Sequence, residues 1–452
     1  MQEFSAIRMI FQGKALQFQS FFPAQLHPAR KSGTLGFDMQ RVLGCSTLAA
    51  LLILGVSPTA QPRRVVAVGD IHGAFEEFVA IMQTAGLIDS ARQWSGGATT
   101  FIQTGDYTDR GAGVRQVMDL LMAIEAQASK GGGRAVVLLG NHELMNLVGE
   151  QRDVTPEIYA TFADGESESR RERAWAQYEE LAAARAKVRP TVPEVYTKTK
   201  DAWLAAHPPG WLEYREALSP RGRYGKWLRD KRVSARVDGT LFMHAGPDPA
   251  GTALDVEAID TQIRQELTRF DRFLDRAVAA KLALPFFALN EVLEAAAGEI
   301  RAVNAVVAAA KEKGEAPDLS GFDIELVKQA ADLISIGDWH LLNPNGPMWY
   351  RGYAASPEAA LREPVAAVLA KNDVTRIVVA HTPSSERRIL TRLGGTIVLI
   401  DSGMLTSAYK GRASALEIAG SQLTAIYTDG RVPLETSKPS PGEVLVLEHQ
   451  RQ

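Results

Sequence analysis

The sequence predicts an α/β fold, a parallel sheet whose strands end together at one edge and which carries two large helical insertions. Three observations predict it. Three short apolar runs each close on a cluster of acidic, imidazole and amide side chains, helical periodicity fills the intervals between them, and two long helix-rich stretches follow further along the chain.

The first run, Val65-Val66-Ala67-Val68, is β-branched, continuous and stopped by Gly69, the pattern of a strand buried on both faces. It delivers Asp70-Ile71-His72-Gly73 at its tip. Phe75, Phe78, Val79 and Met82 then recur at offsets of three, four and seven, which predicts a helix. The second run, Thr99 to Thr104, delivers Gly105-Asp106-Tyr107-Thr108-Asp109-Arg110-Gly111, and Val117, Leu121 and Ile124 mark the next helix. The third, Ala135 to Leu139, ends in Gly140-Asn141-His142-Glu143. Strand, helix, strand, helix, strand is a βαβαβ unit whose crossovers bring all three tips to one sheet edge, where ligands bind.

The residue types at those tips offer oxygen and nitrogen donors without a thiolate, which suits Mn, Fe, Zn or Ni. Asp70 and His72, read as one extended Asp-x-His segment, can reach one ion. Asp106, with two carboxylate oxygens, can bridge to a second, and Asn141 supplies that second ion with a neutral oxygen. A neutral core would not gather so many ionisable groups, because burying them unpaired costs several kcal/mol each.

Further along, residues 151–236 are charge-rich and broken by Pro190, Pro193, Pro208-Pro209-Gly210 and Pro220, which predicts a helical insertion in pieces. Its aromatics Trp203, Trp211, Tyr214, Tyr224 and Trp227 are expected to form a small core of their own. A strand returns at Thr240 to Met243 and ends in His244-Ala245-Gly246-Pro247. Residues 252–333 read as a second helical insertion, interrupted between Gly314 and Gly321. Asp338-Trp339-His340 follows, with His340 read as structural, and then Trp349-Tyr350-Arg351-Gly352, where Arg351 could offer a planar fork to a phosphate. A helix over 364–370 leads to a strand, Arg376 to Ala380, ending in His381-Thr382-Pro383. Thr396 to Ile400 ends at Asp401-Ser402-Gly403, and short strands near Leu416 and Ala425 suggest a second sheet.

Gly-Asp-x-His-Gly, Gly-Asp-x-x-Asp-Arg-Gly and Gly-Asn-His-Glu together resemble the motifs of the calcineurin-like metallophosphoesterase superfamily and of its phosphoprotein phosphatase group. Val117-Met118-Asp119-Leu120-Leu121 and Asn141-His142-Glu143-Leu144-Met145-Asn146-Leu147 are most similar to bacterial Shewanella-like protein phosphatases. The resemblance implies a calcineurin-like β-sandwich flanked by helices. It implies two divalent ions, one on Asp70, His72 and Asp106 and the other on Asp106, Asn141, His244 and His381, with manganese expected and iron or zinc as alternatives. It also implies that His142 protonates the leaving group while Asp109 holds its imidazole, and that Arg110, Asn141 and Arg351 bind the phosphate. Ala245 departs from the glycine usual after the ligand histidine.

The function so implied is hydrolysis of phosphomonoesters by a metal-activated hydroxide, with a phosphoprotein (phosphotyrosine or phosphoserine/threonine) or a small phosphoester as substrate. A nucleotidase, phosphodiesterase or dinucleoside polyphosphate hydrolase would use the same scaffold. A non-catalytic phosphate-binding module is the reading from another class, but none of the expected residues is missing.

The chain of 452 residues has a formal net charge of −3, which gives no bulk reason to expect nucleic acid as a partner. Met39-Gln40-Arg41, the apolar run Val42 to Val56 and Ser57-Pro58-Thr59-Ala60 read as a secretory signal over about 39–60, with translation expected to start at Met39. The run is too short for the roughly 20 residues of a spanning helix, so no stable membrane anchor is expected after cleavage. Cys45, the single cysteine, lies in that segment, leaving a mature chain compatible with a periplasmic or secreted location. The expected organisation is therefore residues 1–60 as a non-mature N-terminus, 61–436 as a catalytic domain with insertions at about 151–236 and 252–333, and 437–452 as a Pro/Ser-rich tail.

Overall fold

The computed structural model describes residues 63–189, 191, 193–249 and 255–436. The signal-like segment, Cys45 and the tail lie outside the described residues. Two sheets form the centre. The first has strand order β11-β10-β9-β1-β2-β3, built from β1 (Arg64–Val68), β2 (Thr100–Gln103), β3 (Arg134–Val137), β9 (Ser414–Ala419), β10 (Gln422–Tyr427) and β11 (Gly430–Pro433). The second has order β4-β5-β6-β8-β7, from β4 (Ser234–Val237), β5 (Thr240–Met243), β6 (Arg376–Val379), β7 (Leu390–Arg392) and β8 (Ile397–Leu399).

Alternation along β1 shows how the sheets pack. Val65 and Ala67 join Ile102, Leu416, Phe242, Val378 and Val398 in a buried cluster drawn from both sheets. Val66 and Val68 point the other way, into a cluster with Phe78, Ile81 and Met82 of α1 (Phe75–Thr84) and Val117 and Leu121 of α2 (Val114–Lys130). Each such side chain contributes about 1.5–3 kcal/mol when fully buried. The result is an α/β sandwich with helices outside it.

The βαβαβ unit forms as the periodicity predicts, with β1, β2 and β3 parallel and adjacent. The strands near Leu416 and Ala425 correct the sequence reading. They do not start a second sheet; β9 pairs antiparallel with β1 and β10 pairs with β9. The second sheet comes instead from β5, β6 and β8, which are mutually parallel and lead to His244, His381 and Asp401.

The first helical region holds α3 (Asn141–Val148), α4 (Pro156–Phe162), α5 (Ser167–Val188), α6 (Lys200–Ala206), α7 (Trp211–Leu218) and α8 (Arg223–Arg229). The second holds α9 (Val256–Ala279), α10 (Leu289–Lys313) and α11 (Ile324–Leu333). It therefore breaks once more than expected, around Pro285, a residue that cannot continue a helix. The aromatics of the first region do not form a separate core. Trp203, Trp211, Tyr214 and Tyr224 are buried in the same cluster as Phe78 and Leu121, and Trp227 packs on it. Beyond these lie α12 (Gly352–Ala355), α13 (Glu358–Asn372), longer than the stretch 364–370 expected, and α14 (Thr406–Tyr409). Among the described residues no helix is long and apolar enough to cross a membrane.

Candidate active site

The carboxyl ends of β1, β2, β3, β5 and β6 meet, and their tips are built from tight backbone. A Cβ on Gly69 would lie 2.9 Å from the carbonyl oxygen of Ile400, so this glycine lets the two sheets close on each other. Five site residues other than glycine occupy the left-handed region: His72 (φ 45°), Asp106 (58°), Asp109 (67°), Arg110 (68°) and His381 (65°). The Asp-x-His segment is thus a turn rather than the extended stretch expected. His72 still reaches inward.

Glu143 organises the first edge. It sits in the first turn of α3, and its buried carboxylate accepts backbone N–H bonds from Asp106 (2.8 Å), Tyr107 (2.9 Å), Thr108 (2.9 Å) and Gly140 (2.7 Å), and the Thr108 hydroxyl at 2.8 Å. One side chain thereby fixes the β2 loop to the start of α3. The sequence showed Glu143 only as a motif letter.

Around Asp106 the donors converge. His72 Nε2 lies 3.6 Å and His244 Nε2 3.2 Å from its Oδ2, and its Oδ1 accepts the His142 N–H at 3.1 Å. His244 Nε2 is also 2.9 Å from Asn141 Oδ1 and 3.0 Å from His381 Nδ1. Asp70 joins from β1, its Oδ1 accepting the His381 N–H at 3.2 Å and its Oδ2 lying 3.9 Å from His72 Nε2. Asp70, His72, Asp106, Asn141, His244 and His381 therefore share one buried site.

The outer ring nitrogens are set by the backbone. His72 Nδ1 meets the Thr108 carbonyl at 2.9 Å, and His381 Nε2 meets the Trp349 carbonyl at 3.2 Å. A carbonyl only accepts, so each ring places its proton there and turns its lone pair inward. Burial reinforces this, lowering His72 to about 3 and His381 to about 2, so both rings are neutral. Burial, then the charges of Asp401 and Asp106, push Asp70 well above the ordinary carboxylate value. Burial also pushes Asp401 up to about 6. His244 Nδ1 and Asp401 Oδ2 are buried without a hydrogen-bond partner among the described residues. Crowded carboxylates, inward lone pairs and orphaned polar atoms are what a site for divalent cations looks like from the protein side, and the donor types fit Mn, Fe or Zn.

Beside this cluster, His142 Nδ1 meets Asp109 Oδ2 at 2.7 Å. Burial alone would lower His142, but Asp106 and then Asp109 outweigh it and raise the ring above its usual value. Asp109 is itself held. The Asn146 amide donates to Asp109 Oδ1 at 2.7 Å and to the His142 carbonyl at 2.9 Å, and the Tyr214 hydroxyl donates to Asn146 Oδ1 at 2.8 Å. The next residue, Arg215, donates to the Asn146 carbonyl at 3.4 Å and to that of Phe287 at 3.0 Å. Helix α7 thus grips Asn146 by side chain and backbone. Asn146, four residues after His142 on α3, had a helical-spacing signal, whereas Tyr214 had none.

Arg110 lies across the mouth, its Nη1 2.6 Å from His72 Nε2 and its Nη2 3.1 Å from His142 Nε2. Its Nη1 also donates to the Tyr409 hydroxyl from α14, a residue the sequence did not single out. Arg351 stands at the rim, donating through Nη1 to the His381 carbonyl at 2.9 Å and to Thr382 Oγ1 at 3.3 Å. It is Arg152, not Arg351, that lies over the Trp349 ring, at 5.6 Å. His340 stays outside the site, with its Nδ1 3.4 Å from Glu266 Oε1.

Residues 63–276 match the family of calcineurin-like phosphoesterases. An uncharacterized protein of Schizosaccharomyces pombe is 27% identical over 367 residues, 81% of this chain and 80% of that one. Shewanella-like protein phosphatase 2 of Arabidopsis thaliana is 41% identical over 95 residues, 21% of this chain and 24% of that protein. Among solved structures, a cold-active protein-tyrosine phosphatase of a psychrophile Shewanella species aligns with a TM-score of 0.47 at 21% identity, covering 83% of this chain and 81% of that one.

Proposed function

We propose that this chain, which carries a calcineurin-like phosphoesterase domain, hydrolyses phosphomonoesters on proteins. The observation that carries the reading is the convergence of tips from both sheets on Asp106, with the His142–Asp109 pair alongside. The naming of two relatives as Shewanella-like protein phosphatases supports a phosphoprotein substrate.

In this reading Asp70, His72 and Asp106 hold one divalent ion, and Asp106, Asn141, His244 and His381 the other, with manganese proposed and iron or zinc as alternatives. Such a pair of ions supplies an activated water and offsets charge on the attacking and leaving oxygens. The remaining work falls to the chain's own side chains. His142, with one ring proton committed to Asp109, presents Nε2 toward Arg110, where a leaving oxygen would take its proton. Asp109 fixes the tautomer and offsets the imidazolium charge, and Asn146 keeps Asp109 from turning away. The Arg110 guanidinium spans the mouth at the position where phosphoryl oxygens need neutralising, and Asn141 stands on the same sheet edge, with its Oδ1 2.9 Å from His244 Nε2. Arg351 commits Nη1 to the His381 carbonyl and to Thr382 Oγ1, so a phosphate contact would use its Nε or Nη2.

The segment over about 39–60 leads us to propose export to the periplasm or beyond, with residues 61–436 as the catalytic part. The test of activity is steady-state hydrolysis of p-nitrophenyl phosphate by the purified chain, after EDTA and after return of Mn, Zn or Fe. Loss and metal-specific recovery are expected. Ions bound without turnover would sink the phosphomonoester reading and turn attention to diesters and dinucleoside polyphosphates.

A further inference from the structure

Arg110 is met from two sides. From the loop that follows α3, the Asp153 carbonyl accepts the Arg110 backbone N–H at 3.0 Å, and the Asp153 carboxylate places Oδ1 3.9 Å from the guanidinium Nε. Among the described residues it is the one carboxylate within ion-pair distance of Arg110. From α14, the Tyr409 ring centre lies 5.5 Å from the guanidinium carbon. The loop that carries Asp153 is itself fixed. Gly149 ends α3 in the left-handed region (φ 85°) and its carbonyl accepts the Leu289 N–H at 3.0 Å, the Glu150 N–H returns to the Met145 carbonyl at 2.9 Å, and the Val154 N–H to the Gln151 carbonyl at 3.1 Å.

The terminal nitrogens of Arg110 rest on lone pairs that the proposed chemistry needs. Nη1 meets His72 Nε2, the atom that would hold the first ion, and Nη2 meets His142 Nε2, the atom that carries the proton for the leaving oxygen. A ring nitrogen offers a single lone pair, so neither contact persists in a loaded site. The Asp153 contact is different. It engages Nε, at the root of the planar fork, and leaves both terminal nitrogens to face two oxygens of one phosphoryl group. The other Asp153 oxygen, Oδ2, lies 3.7 Å from Arg152 Nε and 3.9 Å from His142 Nδ1. Asp109 reaches that ring nitrogen at 2.7 Å, so the imidazole belongs to Asp109 and the Asp153 charge is left to the two arginines.

We propose that Asp153 is a positioning residue for Arg110, its carboxylate anchoring the guanidinium by Nε so that Nη1 and Nη2 form a fork for the substrate phosphoryl group. The assignment rests on the phosphatase reading and deepens it, since it names the group that orients phosphate recognition at that site. Inorganic phosphate presents the same oxygens as the phosphoryl group of a monoester. Both therefore lose affinity together when the anchor is removed.

The test measures KM and kcat for p-nitrophenyl phosphate, and the dissociation constant of inorganic phosphate by calorimetry, on the full metal-loaded chain. Asp153→Asn keeps the size of the side chain and the backbone carbonyl but removes the charge. It is expected to raise KM and the phosphate dissociation constant together by about fivefold, the upper range for a part-exposed ion pair, with kcat changed by less than about twofold. In Arg110→Met there is no guanidinium to orient, so adding Asp153→Asn should weaken phosphate no further. Constants that stay or fall in Asp153→Asn, a loss confined to kcat, or the same loss in the Arg110→Met background would each overturn the assignment and leave the phosphatase reading standing. Failure of the unaltered chain to hydrolyse any phosphomonoester overturns that reading instead, and the binding of inorganic phosphate then decides for or against Asp153 by itself.

Discussion

The edges of the two sheets supply opposite walls of one site, and they hold their residues by different means. On the six-stranded sheet the loop after β2 is tied to α3 by the Glu143 carboxylate, which meets four backbone N–H groups and a hydroxyl. On the five-stranded sheet His244 Nδ1 and Asp401 Oδ2 have no partner among the described residues, and the rings of His244 and His381 face each other at 3.0 Å between nitrogens. The loop that carries Asp109 is fixed by protein bonds, whereas His244 and His381 meet each other and, through His244, Asn141. The difference teaches that proton delivery and metal binding can be perturbed separately, although they lie side by side.

The comparison can be broken most sharply at His142. His142→Asn should lower kcat by about 10²–10⁴-fold, the usual worth of a general acid, while elemental analysis still finds the ions. Unchanged turnover would take proton delivery away from the first wall. Asp106, where the walls meet, should behave in the opposite sense. Asp106→Asn is expected to lose both ions, and two metals per chain by elemental analysis would show that the walls do not share it.

The next effect is on stability. Glu143→Gln turns an acceptor of five bonds into a group with one acceptor and a misplaced donor, so urea unfolding of the EDTA-treated chain should show a loss of about 3 kcal/mol. A loss no larger than that from an equivalent change at His244 would erase the contrast between the walls. A smaller effect is expected at Tyr214→Phe, which leaves Asn146 Oδ1 without its donor. Turnover should fall about fivefold with phenyl phosphate and less with p-nitrophenyl phosphate, whose leaving group needs a proton less. Equal losses would reduce the tyrosine to a packing role.

The smallest effect concerns the far side of the first sheet. Burial pushes Glu417 up, but Arg64 and then Arg431 outweigh it and hold the carboxyl below its ordinary value of 4.5. Its contribution is present above that unfolded value and is lost as pH falls through the folded one. Glu417→Gln should flatten the acid side of a melting curve against pH, and an unaltered acid limb would deny the pair any part in steadying β1.

The two walls also differ in how readable they were. Asp70, His72, Asp106, Asp109, Asn141 and His142 stand in three dense clusters at the ends of apolar runs, so chemistry and position announced each other. His244 and His381 are single residues after apolar runs, and only their repetition of that placement and the family resemblance marked them. The β9–β10 hairpin was read correctly as strands but placed in the wrong sheet, because its pairing with β1 joins residues some 350 positions apart and leaves no local trace. Tyr214 and Arg215 were hidden for the same reason. Their partner, Asn146, lies 68 positions from Tyr214, across a helical region that looked like solvated surface.

The left-handed residues at the tips carry a consequence for the order in which the molecule comes into being. His72, Asp106, Asp109, Arg110 and His381 are five of the twelve non-glycine residues with positive φ among those described, and each such conformation costs on the order of 1–3 kcal/mol that surrounding structure must offset. For His381 that structure is not local. The bond from the His381 N–H to Asp70 closes a span of 311 positions. A chain emerging from the ribosome can therefore build β1, β2 and β3 and the first wall early, yet it owns no complete site until the strand before His381 has been made and has docked. A product cut short before that point would carry every recognisable motif of the first three strands and still be chemically silent.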